Sequence, residues 1–165
     1  MNPAHFHLIV NHLPIISPII AFGVLVVGLL LQNEVIKRVA YGICIFAALS
    51  AVPASVSGEN AEDVVENLQG IDHNLIHTHE EAAEKFAVVV YLLGIAAAAG
   101  LFASWKQKGF ANILQFVILA LCAISLFLAR QAGTTGGEIR HTEIRQGNTH
   151  STPTPDTSEG EKEHD

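Results

Sequence analysis

The chain divides into four long runs free of charged residues, separated by polar segments of unequal length. They extend from Leu13 to Leu31, Val39 to Val56, Phe86 to Trp105 and Phe110 to Ala129. About 20 consecutive apolar residues in a helix cross a hydrocarbon core, so each run predicts a transmembrane helix. Two connections, "QNEVIKR" and "KQKG", are short enough to force antiparallel neighbours. The predicted fold is therefore all-α: a four-helix transmembrane bundle running up-down-up-down.

The long connection between spans two and three has its own pattern. In "NAEDVVENLQG", Asn60 can cap a helix, Ala61, Val64, Val65 and Leu68 share one face, and Gly70 can end it. This predicts a short amphipathic helix lying along the membrane surface. Asp72 can cap a further helix that continues into span three. The segment 146–165 combines Pro, Ser, Thr and charge with almost nothing apolar, which predicts a disordered tail beyond a transmembrane domain of residues 1–145. Pro14, Pro18 and Pro53 are expected to bend spans one and two. Gly23, Gly28, Gly42, Gly94 and Gly100 supply small residues for close helix packing.

Charge adds an orientation. Lys37, Arg38, Lys106 and Lys108 lie in the two short links, whereas the N-terminal segment has no Lys or Arg and the long loop has only Lys85. The positive-inside rule then places the short links in the cytoplasm and the N-terminus, central loop and C-terminus on the opposite, outer side of the membrane. The N-terminal stretch lacks the basic n-region of a signal peptide, so span one is expected to remain in the mature protein. The net charge of −7 argues against a nucleic-acid partner. Cys44 and Cys122 fall inside spans and read as buried free thiols. No acidic or basic residue lies inside any span, which disfavours an ion or proton pathway.

All nine histidines lie on the side away from the lysine links. His5, His7 and His12 precede or enter span one, His73, His77 and His79 precede span three, and His141, His150 and His164 follow span four. On a helical projection of about 100° per residue, His79 joins Ile71, Leu75, Ala82 and Phe86 on one face, while His73, His77, Glu80 and Glu84 form the opposite stripe. In span one His5, Ile9, His12, Ile16 and Gly23 group together, with His7 and Asn11 elsewhere. Taking the glycine-bearing face as the packing face points His12 inward at the depth of His79. The glycines of "GTTGGEIRH" would let His141 fold back over the same mouth.

Imidazoles in that arrangement suit a transition metal ion or haem iron, with Glu80, Glu81, Glu138 or Asn11 as outer-shell acceptors. Two imidazoles could hold a haem b between helices. His12 and His79 are thus the candidate cofactor ligands, and His12, His79 and His141 the candidate metal set. His73, His77 and Glu80 form a weaker surface site, for which a solvated helix face is the simpler reading. No nucleophile elbow, phosphate loop or H-E-x-x-H pair occurs, since Ala83 stands where the second His would be. Metal or haem binding for electron transfer or metal handling is one reading. The other is a non-enzymatic structural or accessory subunit that docks a membrane or periplasmic partner. A membrane-embedded zinc hydrolase using His141 is the weakest.

The segments "HLIVNHLPI", "SGENAEDVVENL", "IHTHEEAA" and "GGEIRHTEIR" resemble those of a family of small four-helix bacterial inner-membrane proteins with His-rich periplasmic segments. The resemblance covers the chain as far as Arg145. It implies location in the bacterial inner membrane and no particular activity, substrate or cofactor.

Overall fold

A computed structural model describes residues 2–65 and 72–145. Five helices account for nearly all of it: α1 Pro3–Val10, α2 His12–Leu30, α3 Glu34–Val65, α4 His73–Trp105 and α5 Ala111–Arg140, followed by a single 3-10 turn, Thr142–Ile144. Helices α1 and α2 follow one another along Pro3–Leu30, one of four helices long and apolar enough to cross a bilayer, with α1 at its outer end. Around the bundle α2 packs on α3, α3 on α4, α4 on α5 and α5 back on α2, while α1 lies against α3. The protein is an all-α, four-helix membrane bundle.

The interruption between α1 and α2 has a local cause. Pro14 has no N–H to give, and its ring presses on the carbonyl four residues back, at Val10, where α1 ends. The two short links share one device. Gln32 and Gln107 each adopt φ 50°, and the next residues close the turn, Asn33 N–H to Gly28 O and Lys108 N–H to Ala103 O, each at 2.9 Å. Asn33 then caps α3 by accepting from Val35 N–H at 3.0 Å and Ile36 N–H at 3.2 Å. Asp72 caps α4 as expected, accepting from Asn74 N–H at 2.9 Å.

Side-chain size is sorted for a lipid solvent. Ala21, Ala40, Ala47, Ala97 and Ala103 are fully buried, whereas Leu49, Ile95, Phe102, Ile113, Phe116 and Phe127 stand exposed on the outer faces. Without water to drive apolar groups together, helices associate through close packing of small residues. A Cβ built on Gly94 would lie 2.3 Å from the Ala48 Cβ, and one on Gly100 would lie 2.7 Å from Ile118 Cδ1. These glycines set the α3–α4 and α4–α5 approaches. Gly23 and Gly42 face open space and pack against nothing.

The lysine-bearing end is closed by a polar network across three helices. Lys37 is only 7% exposed; it pairs with Glu34 and donates to Gln115 Oε1 at 3.1 Å. Arg38 donates to Ser104 Oγ at 2.8 Å and Ser104 O at 3.1 Å, and the Ser104 hydroxyl donates to Glu34 Oε2 at 2.9 Å. Deeper in, Cys44 and Cys122 are fully buried free thiols with sulfurs 3.8 Å apart.

Two expectations need correction at the opposite end. The stretch after Asn60 is helical at least to Val65, but as the unbroken end of α3 rather than a separate surface helix. Asn60 caps nothing there; its side-chain amide donates to Val56 O at 2.7 Å within the same helix. Likewise "GTTGGEIR" is the last part of α5, so its glycines are helical and give His141 no hinge. The remainder of the proposed amphipathic helix and the tail from residue 146 lie outside the described residues.

Gly94→Ala should lower stability in detergent by about 1–3 kcal/mol, the usual cost of overpacking, when read by thermal or chemical unfolding. Gly23→Ala, with nothing to strike, should leave stability unchanged or slightly raised. Equal effects from the two would contradict the packing described.

Candidate functional site

The helices are longer than the bilayer core. At 1.5 Å per residue the 33 residues of α4 span about 50 Å, against a core of about 30 Å. The excess lies at the histidine end. His7 precedes Leu13 by six residues and His79 precedes Phe86 by seven, so both stand about 10 Å beyond the apolar stretches.

Two histidines turn inward there. His7, on α1, is half-buried against α3, with Nδ1 3.0 Å from Ala54 O and 3.1 Å from Ser57 Oγ. His79, on α4, is half-buried against α5, with Nδ1 3.2 Å from Thr135 Oγ1. Each ring lies on a glycine of the neighbouring helix. A Cβ on Gly58 would come within 3.3 Å of His7 Cε1, and one on Gly136 within 2.9 Å of His79 Cε1. An alanine methyl at 136 would displace the His79 ring.

The hydrogen bonds of each ring favour the tautomer that carries its proton on Nδ1. A carbonyl only accepts, so His7 Nδ1 must be the donor to Ala54 O. The Thr135 hydroxyl hydrogen is committed to the backbone, with Gln131 O at 3.0 Å and Ala132 O at 3.2 Å. Its oxygen therefore accepts from His79 Nδ1–H. Both neutral imidazoles then present an unprotonated Nε2, and neither Nε2 has a hydrogen-bond partner among the described residues. A metal-ligating histidine typically has this arrangement, one nitrogen held by a backbone or hydroxyl acceptor and the other free to donate its lone pair.

Burial holds both imidazoles below their ordinary pKa. For His7 the charge of nearby His12 adds to the effect and the Ala54 carbonyl opposes it. For His79 the nearby charge is that of His7, and the opposing group is the Ala132 carbonyl. Asn11 lies one helical turn along from His7 on the same face, and its Oδ1 is buried with no hydrogen-bond partner.

Other proposed ligands lie elsewhere. His12 is exposed, with Nδ1 3.2 Å from Leu8 O of its own helix, so it does not share the mouth with His79. The projection chose the wrong face because Gly23 was taken as a packing residue. The buried face of the first span carries Val10, Pro14, Ser17, Pro18, Ala21, Leu25 and Gly28, the face to which His7 and Asn11 belong. His141 follows the end of α5, six residues beyond Thr135. It is exposed and bonded to Glu143 Oε1 at 2.7 Å, so it does not fold back over the mouth. His73, His77 and Glu80 are exposed on α4. Glu81 pairs there with His77 at 3.5 Å and Lys85 at 3.0 Å, and the Lys85 ammonium holds its carboxyl below the ordinary range.

Sequence reasoning did not single out Ser57, Gly58, Thr135 or Gly136 as partners of the inward histidines. The available signal was the run of small or polar residues at three- and four-residue steps from His7 through Asn11 to Gly28, since in a membrane bundle small and polar residues mark the inward face. Among the described residues no three His, Cys, Asp or Glu side chains gather as a metal cluster. No family model, curated protein or solved structure matches this chain.

A pH dependence follows from the two inward imidazoles. Because their folded-state pKa values lie below the ordinary 6.5, the unfolded chain takes up protons first as the medium is acidified. Stability from this source is complete above pH 6.5 and is lost as pH falls below it. The melting temperature in detergent should fall between pH 7.5 and 5.5, and the double variant His7→Gln, His79→Gln should flatten that fall. An unchanged slope in the double variant would contradict the assignment.

Proposed function

We propose that this protein is a bacterial inner-membrane protein that binds a transition metal, as an ion or as haem iron, at the histidine end of its bundle, through His79 and His7. The centre serves electron transfer or metal handling on the periplasmic side. One observation carries the reading: two half-buried imidazoles from different helices, each with Nδ1 held by an acceptor and Nε2 without a hydrogen-bond partner among the described residues. A metal ligand needs its donor nitrogen unprotonated, and this tautomer supplies one on each ring. His7 takes the place first given to His12.

The orientation rests on the lysine and arginine residues of the two short links, which favour the cytoplasm. The resemblance to small four-helix inner-membrane proteins agrees with it. An accessory subunit docking a periplasmic protein is the second reading. The exposed His73, His77, Glu80 and Glu84 stripe, on the part of α4 beyond the apolar stretch, favours it.

Metal analysis and an optical spectrum of detergent-purified protein, expressed with adequate metal and haem supply, separate the two. The expected result is a stoichiometric metal or haem that is lost in His7→Ala and His79→Ala and retained in His12→Ala. Wild-type protein without either, or a centre that survives the double change at His7 and His79, would overturn the metal reading.

A further inference from the structure

Ser17, Ser50 and Ser125 each turn a hydroxyl back on the backbone of their own helix, the usual recourse of a small polar side chain inside a span. Cys44 and Cys122 are placed differently. Both are fully buried, and their thiols meet sulfur to sulfur at 3.8 Å. Cys44 lies on α3 and Cys122 on α5, which stand at opposite corners of the ring in which α2, α3, α4 and α5 pack. The sulfurs therefore meet near the bundle axis, among Ala21, Ala40, Leu93 and Ala97.

A buried cysteine by itself is a small apolar filler, but two that touch across the bundle are a dithiol. We propose that Cys44 and Cys122 form a reversible disulfide that ties α3 to α5, and that the oxidant is a quinone dissolved in the bilayer. The sulfurs have to approach by about 1.8 Å to reach the bond length of about 2.0 Å, a movement on the scale of a side-chain rotation. Two S–H bonds break and one S–S bond forms. The two electrons and both protons pass to the quinone, whose two carbonyl oxygens become the hydroxyls of a hydroquinone. Dithiol and disulfide are both uncharged, so the apolar core holds either state without a buried ion.

Depth selects the oxidant. Cys44 lies five residues past Val39 and Cys122 seven before Ala129, so each sulfur is about 7 Å or more inside its apolar run. Water-soluble disulfides exchange with a thiolate that they can reach from water, and neither sulfur offers that access. A quinone approaches from the hydrocarbon instead. Helix α5 is the span least enclosed by the others, and its seam with α2 is the loosest of the four between neighbouring spans. That seam is the way in for the ring. The disulfide is independent of the histidine centre.

Full-length protein in lipid vesicles, fully reduced, tests the proposal on exposure to a short-chain quinone, to the small permeant oxidant diamide, or to oxidised glutathione. It is then denatured in a thiol-alkylating reagent and mapped by mass spectrometry. The expected result is a Cys44–Cys122 bridge within one chain after quinone or diamide, and alkylated cysteines after oxidised glutathione. The bridged form should melt several degrees above the reduced form, because the bond joins residues 78 positions apart, and a reductant should reverse the shift. Cys44→Ser and Cys122→Ser should show no shift, with Cys44→Ala and Cys122→Ala serving should the serine variants fold poorly. Folded wild type that stays reduced under diamide and quinone alike, or that bridges only between chains, overturns the pair. Bridging by diamide alone, a quinone bound covalently to one sulfur, or equal bridging by oxidised glutathione overturns the quinone as oxidant.

Discussion

Hydrocarbon offers no hydrogen bonds, so each polar group on a crossing helix must be satisfied within the protein. That constraint organises the bundle. Ser17 donates to Leu13 O at 2.7 Å, Ser50 to Ala47 O at 2.9 Å and Ser125 to Leu121 O at 2.8 Å, each hydroxyl returning to the backbone of its own helix. The two thiols meet each other. Large apolar side chains face lipid, and alanine and glycine face inward, where they let helices approach closely enough for those polar groups to be enclosed. The same pressure selects which histidine turns inward: His7 finds the Ala54 carbonyl on α3, whereas His12 finds only its own helix.

The two ends of the bundle answer the constraint differently. At the lysine end, donors and acceptors are matched across α3, α4 and α5: Lys37 with Glu34 and Gln115, Arg38 with Ser104, Ser104 with Glu34. The result is a closed seam. At the histidine end, the donors His7 Nδ1–H and His79 Nδ1–H are matched, but the acceptors on the far side of each ring, and the oxygen of Asn11, have no partner among the described residues. Acceptors left unmatched among the described residues are what separates that end from the closed seam.

Much of the fold was legible because spans are declared by absence of charge over a fixed length, and their antiparallel order by links too short for anything else. The Asp72 cap was legible because an N-cap is a local bond between neighbours in sequence. Helix length was not. Nothing in "SGENAEDVV" stops a helix, and Gly58 lies in α3 beside the ring of His7, 51 positions away in sequence. In α5 the "GTTGG" stretch reads as flexible in isolation and is helical, with Gly136 packed beneath the His79 ring and Thr135 bonded to it. For the site, the face of α4 was legible because Ala82 and Phe86 mark it strongly. The face of span one was misread because nearly every residue there is apolar, so periodicity carries little information, and a single glycine, Gly23, was given the weight that Asn11, Ser17 and Ala21 should have carried together.

The central claim is that His7 and His79 ligate one metal ion through Nε2, each with its Nδ1 held remote by the protein. Electron spin-echo modulation of the Cu(II)-loaded protein tests it most directly, because that method reads the remote nitrogen of each coordinated imidazole and counts the imidazoles present. The account predicts the combination frequencies of two imidazoles in wild type and in His12→Ala, falling to a single imidazole in either His7→Ala or His79→Ala. A signal from two imidazoles that persists without His7, or the absence of any imidazole modulation in wild type, would contradict it.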